Sequence, residues 1–390
     1  MTEMTVETNT ARTLDEKDAL FAFQSRHHAF RGLGRAAMLP RGNASTISER
    51  SGAFFAKAGA EAILAGALPF DRGGDDYLWQ AEQVVPARSW ALPRPAPPLR
   101  WNLRAEPDAA EYAKAVGNAL RIMAADTDGS DRLTKIVLAR SLLATADHDI
   151  DVEALFGKLA TDPAVTAFLV PLPEKDGRPR LMAGATPELL LEKTGTQIVS
   201  HPLAGSAKRH DELARDAEAA AALNRSVKDR SEHAIVVEFI LDMLAPYCSD
   251  LRRPDGMTVT STRSMWHLGT RIEGELKNPD VPAVVLASAL HPTPAVCGLP
   301  RDRCTRLIRD LEPAERDFYA GSVGWCDGKG DGAWYVTIRC AEICGAQARL
   351  FAGAGIVPQS DPVAEAAETG AKFNAMLNAL GIDPSLEAFS

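Results

Sequence analysis

Hydrophobic residues recur along the chain with two different periods. In residues 108–126, Ala, Leu, Ile and Met return every three or four positions, which predicts a helix. The same spacing covers residues 210–247, with a break expected near Lys228, and residues 361–380. Residues 134–146 form a short run of β-branched and aliphatic residues instead, which predicts a strand.

Other segments show strands joined by tight turns. Residues 180–209 form strands broken by Gly and Pro, and residues 323–343 contain two strands around a Gly/Asp turn, a strong hairpin pattern. A further strand is predicted over residues 348–357. Hairpins outnumber strand–helix–strand crossovers, so we predict an α+β fold with large, mostly antiparallel β-sheets flanked by helices, rather than a doubly wound one.

The chain divides into three stretches. Residues 1–18 are polar and acidic without an apolar centre, so we expect a disordered or loosely attached leader and no signal peptide. Residues 19–105 carry few chemically suggestive groups and are interpreted as the N-terminal part of the scaffold. Within them, the proline-rich segment 84–100 predicts an extended linker. Residues 106–390 are expected to form the catalytic region of one large unit.

Composition excludes several classes of function. Of 390 residues, 46% are hydrophobic and 24% are charged, as in ordinary globular proteins, and the formal net charge of -9 leaves no basic field for nucleic acid or an anionic membrane. No run approaches the ~18 apolar residues of a membrane helix. The six cysteines match no zinc pattern, which favours reduced thiols and a soluble, cytoplasmic protein.

Two residues are candidates for proton transfer. Lys135 opens an apolar strand, where it is either a surface lysine or a partly buried amine that acts as a general base. Glu188 precedes a run of leucines, where it is either an exposed turn residue or a carboxyl whose pKa is raised by apolar neighbours, suited to a general acid.

Carboxylates on predicted helices are candidates for a metal site. One face of the last helix carries Glu365, Glu368 and Lys372. The alternative interpretation is that this face is solvated and that the three side chains only form salt bridges. Glu232 begins another helical segment ahead of an apolar run. Two or more such carboxylates, completed by water, suit Mg²⁺, a hard cation that prefers oxygen ligands.

Groups that could bind an anionic ligand stand nearby in sequence. Gly-rich turns at Gly205–Ser206 and around Gly353 expose backbone N–H groups that can receive a carboxylate. Arg339 lies in an otherwise apolar predicted strand, so it needs a buried partner, and a ligand carboxylate fits its planar fork. His267 is either a hydrogen-bonded core histidine or part of the site. The histidines do not cluster at zinc-ligand spacing, and no P-loop or dinucleotide fingerprint is present.

Taken in order, these segments resemble the chorismate-utilising enzymes, the family of anthranilate, aminodeoxychorismate, salicylate and isochorismate synthases. The resemblance spans roughly residues 110–380. It rests on eight strings in series: KIVLAR, GATPELLL, HPLAGSAKR, EHAIVVEFI, HLGTRIEGEL, LHPTPAVCGLP, ERDFYAGSVGWCDGKGDGAWYVTIR and FAGAGIVPQSDPVAEAAETGAKFNAML. It implies two large antiparallel sheets flanked by helices, with the site in a cleft between them.

The resemblance also implies roles for individual residues. Lys135 matches the general base that activates water, and Glu188 matches the general acid that protonates the departing hydroxyl. Glu232 and Glu368 match Mg²⁺ ligands, with Glu365 close by. The positions that match the lining of the chorismate pocket are Gly205, Ser206, His267, Ala295, Arg339, Gly353 and Lys372.

Within the family, the sequence most resembles the isochorismate synthases. Ala204 stands where aminodeoxychorismate synthases place a nucleophilic lysine, so water or ammonia is the expected nucleophile. Ala295 and Val296 give the apolar version of the loop seen in isochorismate synthases. The alternatives are a salicylate synthase, an anthranilate synthase and a non-catalytic chorismate-binding homologue. The expected partner is chorismate alone, in a monomer, because isochorismate synthases are often monomers.

Overall fold

The computed structural model describes residues 19–86, 99–126, 129 and 131–384. The predicted leader, residues 1–18, and most of the predicted linker lie outside the described residues. The first residues of that linker segment are extended, but they pair as a strand with Ala29–Leu33. No helix in the described part of the chain is long and apolar enough to cross a membrane.

The helices and strands are numbered in chain order. The helices are α1 Ile47–Ala58, α2 Ala109–Ala125, α3 Val152–Leu159, α4 Leu213–Arg225, α5 Val227–Leu244, α6 Ala283–Leu290, α7 Arg301–Leu311 and α8 Pro362–Leu380. The first sheet contains, in spatial order, β18 Gly298–Leu299, β8 Lys135–Ala146, β22 Gln347–Ile356, β21 Cys340–Cys344, β10 Arg178–Thr186, β9 Thr166–Lys175, β1 Ala19–Gln24, β2 Ala29–Leu33 and β6 Gln83–Pro86, with β7 Trp101–Glu106 beside β8.

Two more sheets complete the fold. The second contains, in spatial order, β14 Cys248–Arg252, β17 Ile272–Leu276, β12 Gln197–His201, β11 Leu189–Thr194, β20 Gly332–Val336, β19 Ser322–Asp327, β4 Ile63–Leu68, β5 Tyr77–Gln80 and β3 Ala37–Met38. The third contains β13 Leu203–Lys208, β16 Met265–Thr270 and β15 Met257–Ser261. Every strand pair in the described residues is antiparallel, which confirms the predicted α+β class with large antiparallel sheets.

The last helix shows how local sequence defines an element. Asp361 caps α8, because its side chain accepts a hydrogen bond from the Ala364 N–H at 2.8 Å. Pro362 follows at the first helical position, where its missing N–H costs nothing. Gly381 ends the helix in the left-handed conformation, with φ 77°, which glycine adopts without strain.

Two apolar clusters lie on opposite faces of the first sheet. Phe21 and Phe23 of β1 belong to the larger cluster, which also includes Trp334 of the second sheet. Ala22, between them, belongs to the smaller cluster with Phe156 of α3 and residues of α8. This alternation follows from the two-residue period of a strand. The first sheet is therefore buried on both faces, between the second sheet and the layer of helices.

Two of the points at which the chain passes between the two large sheets are neighbours in space. It leaves the first sheet between β10 and β11, where Glu188 lies, and returns between β20 and β21, where Arg339 lies. Backbone hydrogen bonds join the crossings, from the Ala185 N–H to the Arg339 carbonyl at 3.0 Å and from the Val336 N–H to the Glu188 carbonyl at 3.1 Å. The backbones of Glu188 and Arg339 are thereby held close to each other.

Two local predictions need correction. Arg339 is not in a strand, because β20 ends at Val336 and Arg339 has a left-handed φ of 52° in the crossing. Glu232 does not begin a helix, because α5 begins at Val227, after the cap Ser226. The Ser226 side chain accepts a hydrogen bond from the Asp229 N–H at 3.2 Å, which starts the helix earlier than the apolar pattern indicates.

Candidate active site

Lys135 is the first residue of β8, and it is fully buried. Its Nζ lies 2.9 Å from Oε1 of Glu232 on α5. Gly355, on the neighbouring strand β22, leaves the room for this pair: a Cβ there would lie 2.1 Å from the Glu232 oxygen and 3.1 Å from Lys135 Cε. The structure excludes the surface-lysine alternative and places the amine against a carboxylate at the centre of the fold.

Glu188 lies in the crossing between β10 and β11 and is 2% exposed. Burial raises the pKa of its carboxyl to about 7, against the opposing effects of the Lys135 charge, a hydrogen bond from the Leu203 backbone and the charges of Arg339 and Lys372. The exposed-turn alternative is therefore wrong. Near neutral pH this carboxyl exists in both protonation states, as a proton donor requires.

The carboxylates of α5 and α8 are each held by a lysine. Glu365 is 1% exposed, and its Oε1 lies 2.5 Å from Lys228 Nζ. Glu368 Oε1 lies 2.6 Å from Lys372 Nζ and accepts a hydrogen bond from the Ser206 hydroxyl at 2.9 Å. The alternative of a solvated helix face is wrong for Glu365, because this face of α8 packs against the interior.

The charges of these groups influence one another. Burial raises the pKa of Glu365, and the neighbouring charge of Glu368 adds to the rise. Burial alone would also raise the pKa of Glu368, but Lys372 and Ser206 outweigh it and hold that pKa below its usual value. Burial lowers the pKa of the Lys228 ammonium, but hydrogen bonding to Glu365 and the charges of three glutamates raise it overall. The three carboxylates thus share one electrostatic neighbourhood.

The donor chemistry of this neighbourhood fits a hard cation. Glu232, Glu365 and Glu368 offer only oxygen ligands, and a lysine side chain contacts each of them. Among the described residues, no group of three or more His, Cys, Asp or Glu side chains is arranged as a ready metal site. Mg²⁺ commonly uses one or two protein carboxylates with water and substrate oxygens, which this arrangement can supply.

The predicted pocket residues on β13 and β16 lie side by side. Gly205 has φ 79°, and a Cβ there would come within 2.9 Å of Asp229 Cβ, so the backbone conformation and the close helix both favour glycine. Ser206 pairs across the strands with His267. His267 is 5% exposed, and burial, together with the charges of Arg339 and Lys372, lowers its pKa well below the usual value. It is therefore neutral beside the site.

The remaining predicted pocket residues approach from three other elements. Gly353 of β22 accepts a hydrogen bond from Lys372 Nζ at 2.9 Å through its carbonyl. Burial lowers the pKa of the Arg339 guanidinium, and Tyr319, Glu368 and Glu188 are near enough for their charges to oppose that effect. Ala295 is half-buried in the loop after α6.

Two residues of this site were missed by the sequence reasoning. Lys228 holds Glu365, and its position four residues before Glu232 on one helix face was the available signal. His233 is buried behind the site, with its Nε2 2.7 Å from the Thr270 hydroxyl. Burial and then the positive charge of Lys135 lower the pKa of His233 to about 4, so it is neutral near pH 7. Its position directly before an apolar run of the helix gave no such signal.

A cavity of about 390 Å³ adjoins the site on one side. Arg339 and Pro187, the neighbour of Glu188, form part of its wall, and Lys158 and Arg263 lie on its other sides. Arg263 joins two loops there by donating to the Thr161 carbonyl at 2.8 Å. Arg339 therefore borders this cavity as well as the buried carboxylates.

Comparison with known proteins identifies the family. The chorismate binding enzyme family matches residues 75–381. The isochorismate synthase DhbC of Bacillus subtilis is 41% identical over 333 residues, covering 82% of this chain and 81% of that protein. The isochorismate synthase EntC of Escherichia coli K12 is 38% identical over 352 residues, covering 87% of each.

Solved structures agree with this assignment. The structure of DhbC from Bacillus anthracis superposes with a TM-score of 0.87 at 38% identity, covering 95% of this chain and 98% of that chain. Anthranilate synthase component I from Streptococcus pneumoniae shares the fold, with a TM-score of 0.63 at 18% identity, covering 96% of this chain and 94% of that chain. The chain belongs to the chorismate-binding enzymes.

Proposed function

We propose that this protein is an isochorismate synthase that interconverts chorismate and isochorismate by adding water at C2 of the ring and expelling the C4 hydroxyl. The observation that carries the proposal is a buried amine close to a buried carboxyl. Burial raises the pKa of Glu188 to about 7, and the charge of Lys135 is the main effect that opposes this rise. Relatives about 40% identical over most of the chain carry the isochorismate synthase name.

The proposed chemistry assigns one proton transfer to each group. Lys135, in its neutral form, accepts a proton from water as the water oxygen bonds to C2. Glu188, in its protonated form, donates a proton to the C4 hydroxyl as that C–O bond breaks and water leaves. As water bonds to C2 and the C4 hydroxyl leaves, both ring double bonds shift by one position, from C1=C2 and C5=C6 to C1=C6 and C4=C5. One water is added and one is lost, so the product is an isomer of the substrate. In the reverse direction the two residues exchange roles, which makes the reaction reversible.

Substrate binding needs positive charge, because chorismate is a dianion and the protein carries a net charge of -9. Arg339 and Lys372 are proposed to pair with substrate carboxylates, while His267 stays neutral and can donate or accept a hydrogen bond. Glu232, Glu365 and Glu368 would hold Mg²⁺. When bound, the ion supplies positive charge that stabilises a substrate carboxylate and the charge that develops on the leaving group.

The choice of nucleophile rests on Ala204. This residue is 7% exposed on β13, directly before Gly205, and its methyl group cannot form a covalent adduct with the ring. An external nucleophile must therefore attack. Water leads to isochorismate, and ammonia would lead towards anthranilate. A salicylate synthase would form isochorismate and then eliminate pyruvate in the same pocket.

Product analysis tests the proposal. Purified protein incubated with chorismate and Mg²⁺ is expected to give isochorismate at an equilibrium ratio that is the same from either direction. Salicylate with an equal amount of pyruvate would identify a salicylate synthase instead. Anthranilate that appears only with added ammonia would identify an anthranilate synthase, and chorismate binding without turnover would identify a non-catalytic homologue.

The metal is tested separately. Chelation is expected to abolish turnover, and added Mg²⁺ is expected to restore it. We expect Glu368→Gln to weaken the Mg²⁺ titration of activity, because it removes one negative oxygen from the proposed ligand set. The same titration in Glu368→Gln and wild type would remove Glu368 from that set.

A further inference from the structure

The strand that begins with Lys135 has an interrupted edge. On this edge β18 pairs with β8 only at Lys135 and Ile136, and β7 pairs with it only from Ser141 onward. Between them, at positions 137–140, no strand of the described chain lies along this edge. Buried backbone N–H and C=O groups need partners, so this gap would cost stability unless other groups filled it.

A buried ion pair fills the gap. The Arg316 guanidinium donates to the Val137 carbonyl at 2.8 Å, and the Glu312 carboxylate accepts from the Ala139 N–H at 2.7 Å. Two hydrogen bonds also join the two side chains to each other, from Arg316 Nε to Glu312 Oε2 at 2.9 Å and from Nη2 to Oε1 at 2.5 Å. The pair takes the place of a missing stretch of strand, with one donor and one acceptor facing β8.

The same guanidinium reaches the wall of the substrate pocket. Its Nη1 donates to the carbonyl of Val296 at 2.6 Å, and Val296 directly follows Ala295 in the sequence. The neighbouring Cys297 carbonyl accepts from the Val137 N–H at 2.9 Å. Arg316 therefore joins the residue two positions after Lys135 to the residue next to Ala295. Phe70 supports it, because the guanidinium carbon lies 4.4 Å from the centre of that ring.

Stability alone does not explain an ion pair in this place. The side chains of Arg316 and Glu312 are only 3% and 5% exposed, and desolvation of two buried charges can exceed their mutual attraction. What the pair provides is geometry: a planar, bidentate fork fixes direction as well as distance. A lysine or a neutral amide could satisfy fewer of these contacts in the same plane.

We propose that Arg316 and Glu312 are positioning residues that set the location of Lys135 relative to the Ala295–Val296 loop, and thereby the alignment of base, water and ring. Neither side chain is assigned a contact with substrate. The proposal rests on the proposed role of Lys135 as base. Because a misplacement of about 1 Å can cost ~100-fold in rate, loss of this alignment should lower kcat.

The test compares Arg316→Lys and Glu312→Gln with a matched control, Arg50→Lys. Arg50 forms a similar bidentate pair with Asp76, at 3.0 and 2.5 Å, and it also donates to two backbone carbonyls, those of Pro40 and Asn43. We expect both variants of the positioning pair to keep a cooperative thermal transition and to lose about 10- to 100-fold in kcat, with a much smaller change in KM. Arg50→Lys should keep the wild-type kcat.

A second readout follows the strand itself. Hydrogen–deuterium exchange of a peptide covering residues 137–140 should be faster in Glu312→Gln than in wild type or Arg50→Lys, because the Ala139 N–H loses a charged acceptor. Wild-type kcat in both variants would overturn the proposal. So would loss of the cooperative transition together with activity, since that result assigns the pair a structural role only.

The two proposals fail in different ways. If Lys135→Met is inactive while Arg316→Lys and Glu312→Gln turn over normally, only the positioning role fails. If Lys135→Met keeps its activity, the proposed base is wrong whatever the Arg316 and Glu312 variants do.

Discussion

At the scale of single residues, burial decides what the charged groups can do. Lys135 and Glu188 are 0% and 2% exposed, yet each lies within reach of an opposite charge. In water these side chains would be an ordinary ammonium and an ordinary carboxylate. In the interior, the pKa of Glu188 rises to about 7, which makes it a usable proton donor near neutral pH.

Removal of either proton-transfer group should abolish most activity. Lys135→Met and Glu188→Gln are expected to lower kcat by about 100- to 10,000-fold, because each removes a general acid–base group. Lys193→Met is the control, because Lys193 of β11 is also a buried lysine. Its Nζ lies 2.9 Å from a carboxylate oxygen of Asp331, in the turn between β19 and β20. That variant should keep kcat. A kcat of Lys135→Met close to that of wild type would exclude Lys135 as the base.

The raised pKa of Glu188 also predicts a pH dependence of stability. The folded carboxyl keeps its proton up to about pH 7, whereas the unfolded carboxyl loses it near 4.5, so folding is penalised as pH rises between these values. Above pH 7 this penalty is on the order of 3 kcal/mol, because each unit of difference between the folded and unfolded pKa corresponds to about 1.4 kcal/mol. Glu188→Gln removes it.

Urea unfolding without chorismate or metal measures this effect. The free energy of unfolding of Glu188→Gln, minus that of wild type, should increase from pH 5 to pH 8. A constant difference over this range would show that Glu188 ionises at an ordinary pKa in the folded protein.

At the scale of elements, one hub attaches the third sheet to α4. Asp216 of α4 accepts hydrogen bonds from Arg209 Nε at 2.9 Å, from the His210 N–H at 2.9 Å and from Trp266 Nε1 at 3.0 Å. Arg209 in turn stacks on Trp266, with 4.2 Å from its guanidinium carbon to the ring centre. Because Trp266 precedes His267 on β16, this hub holds one wall of the proposed pocket.

Asp216→Asn should therefore weaken both the fold and substrate binding. Hydrogen bonding to Arg209 is the main cause that lowers the pKa of Asp216 to about 2. The carboxylate stabilises the protein above pH 3.8, and this contribution is lost as pH falls towards 2. We expect a lower Tm at pH 7, a gap to wild type that narrows below pH 4, and a KM that rises more than kcat falls.

Thermal unfolding across pH, with chorismate kinetics at pH 7, checks this expectation. Glu218→Gln is a suitable control, because Glu218 lies on the same helix and forms an exposed ion pair with Arg225. A gap between Asp216→Asn and wild type that stays constant down to pH 2 would show that the carboxylate charge is not what the hub needs.

At the scale of the whole molecule, the N-terminal residues are part of both large sheets. Strands β1, β2, β6 and β7 belong to the first sheet, and β3, β4 and β5 belong to the second. The chain also crosses between the sheets at Glu188 and Arg339, where backbone hydrogen bonds join the crossings. Neither sheet is complete without segments from distant parts of the sequence.

This interleaving predicts cooperative unfolding. Residues 19–105 should melt together with the rest of the chain, so calorimetry should show one transition whose calorimetric and van't Hoff enthalpies agree. Two resolved transitions would indicate that the N-terminal strands form a separable unit.

Several helices and strands, and most of the candidate site residues, could be predicted from the sequence alone. Local periodicity predicts β8, the β19–β20 hairpin and α8, because a strand or helix repeats its apolar positions over a few residues. The eight family strings carry the assignment of Lys135 and Glu188 as candidates. Arg339 was misplaced in a strand, because its apolar neighbours do not reveal the left-handed turn at the crossing.

Which of these groups come into contact, and which protonation states they favour, depends on how the elements pack in three dimensions. Lys228 and Glu365 are distant in sequence, but Nζ of the lysine lies 2.5 Å from Oε1 of the glutamate. The Arg316–Glu312 pair contacts β8 along one edge, where no strand of the described chain pairs with positions 137–140. The physical reason is that burial and pairing are properties of three-dimensional packing. A carboxyl acquires its pKa from what surrounds it, and a local sequence pattern contains only what precedes and follows it.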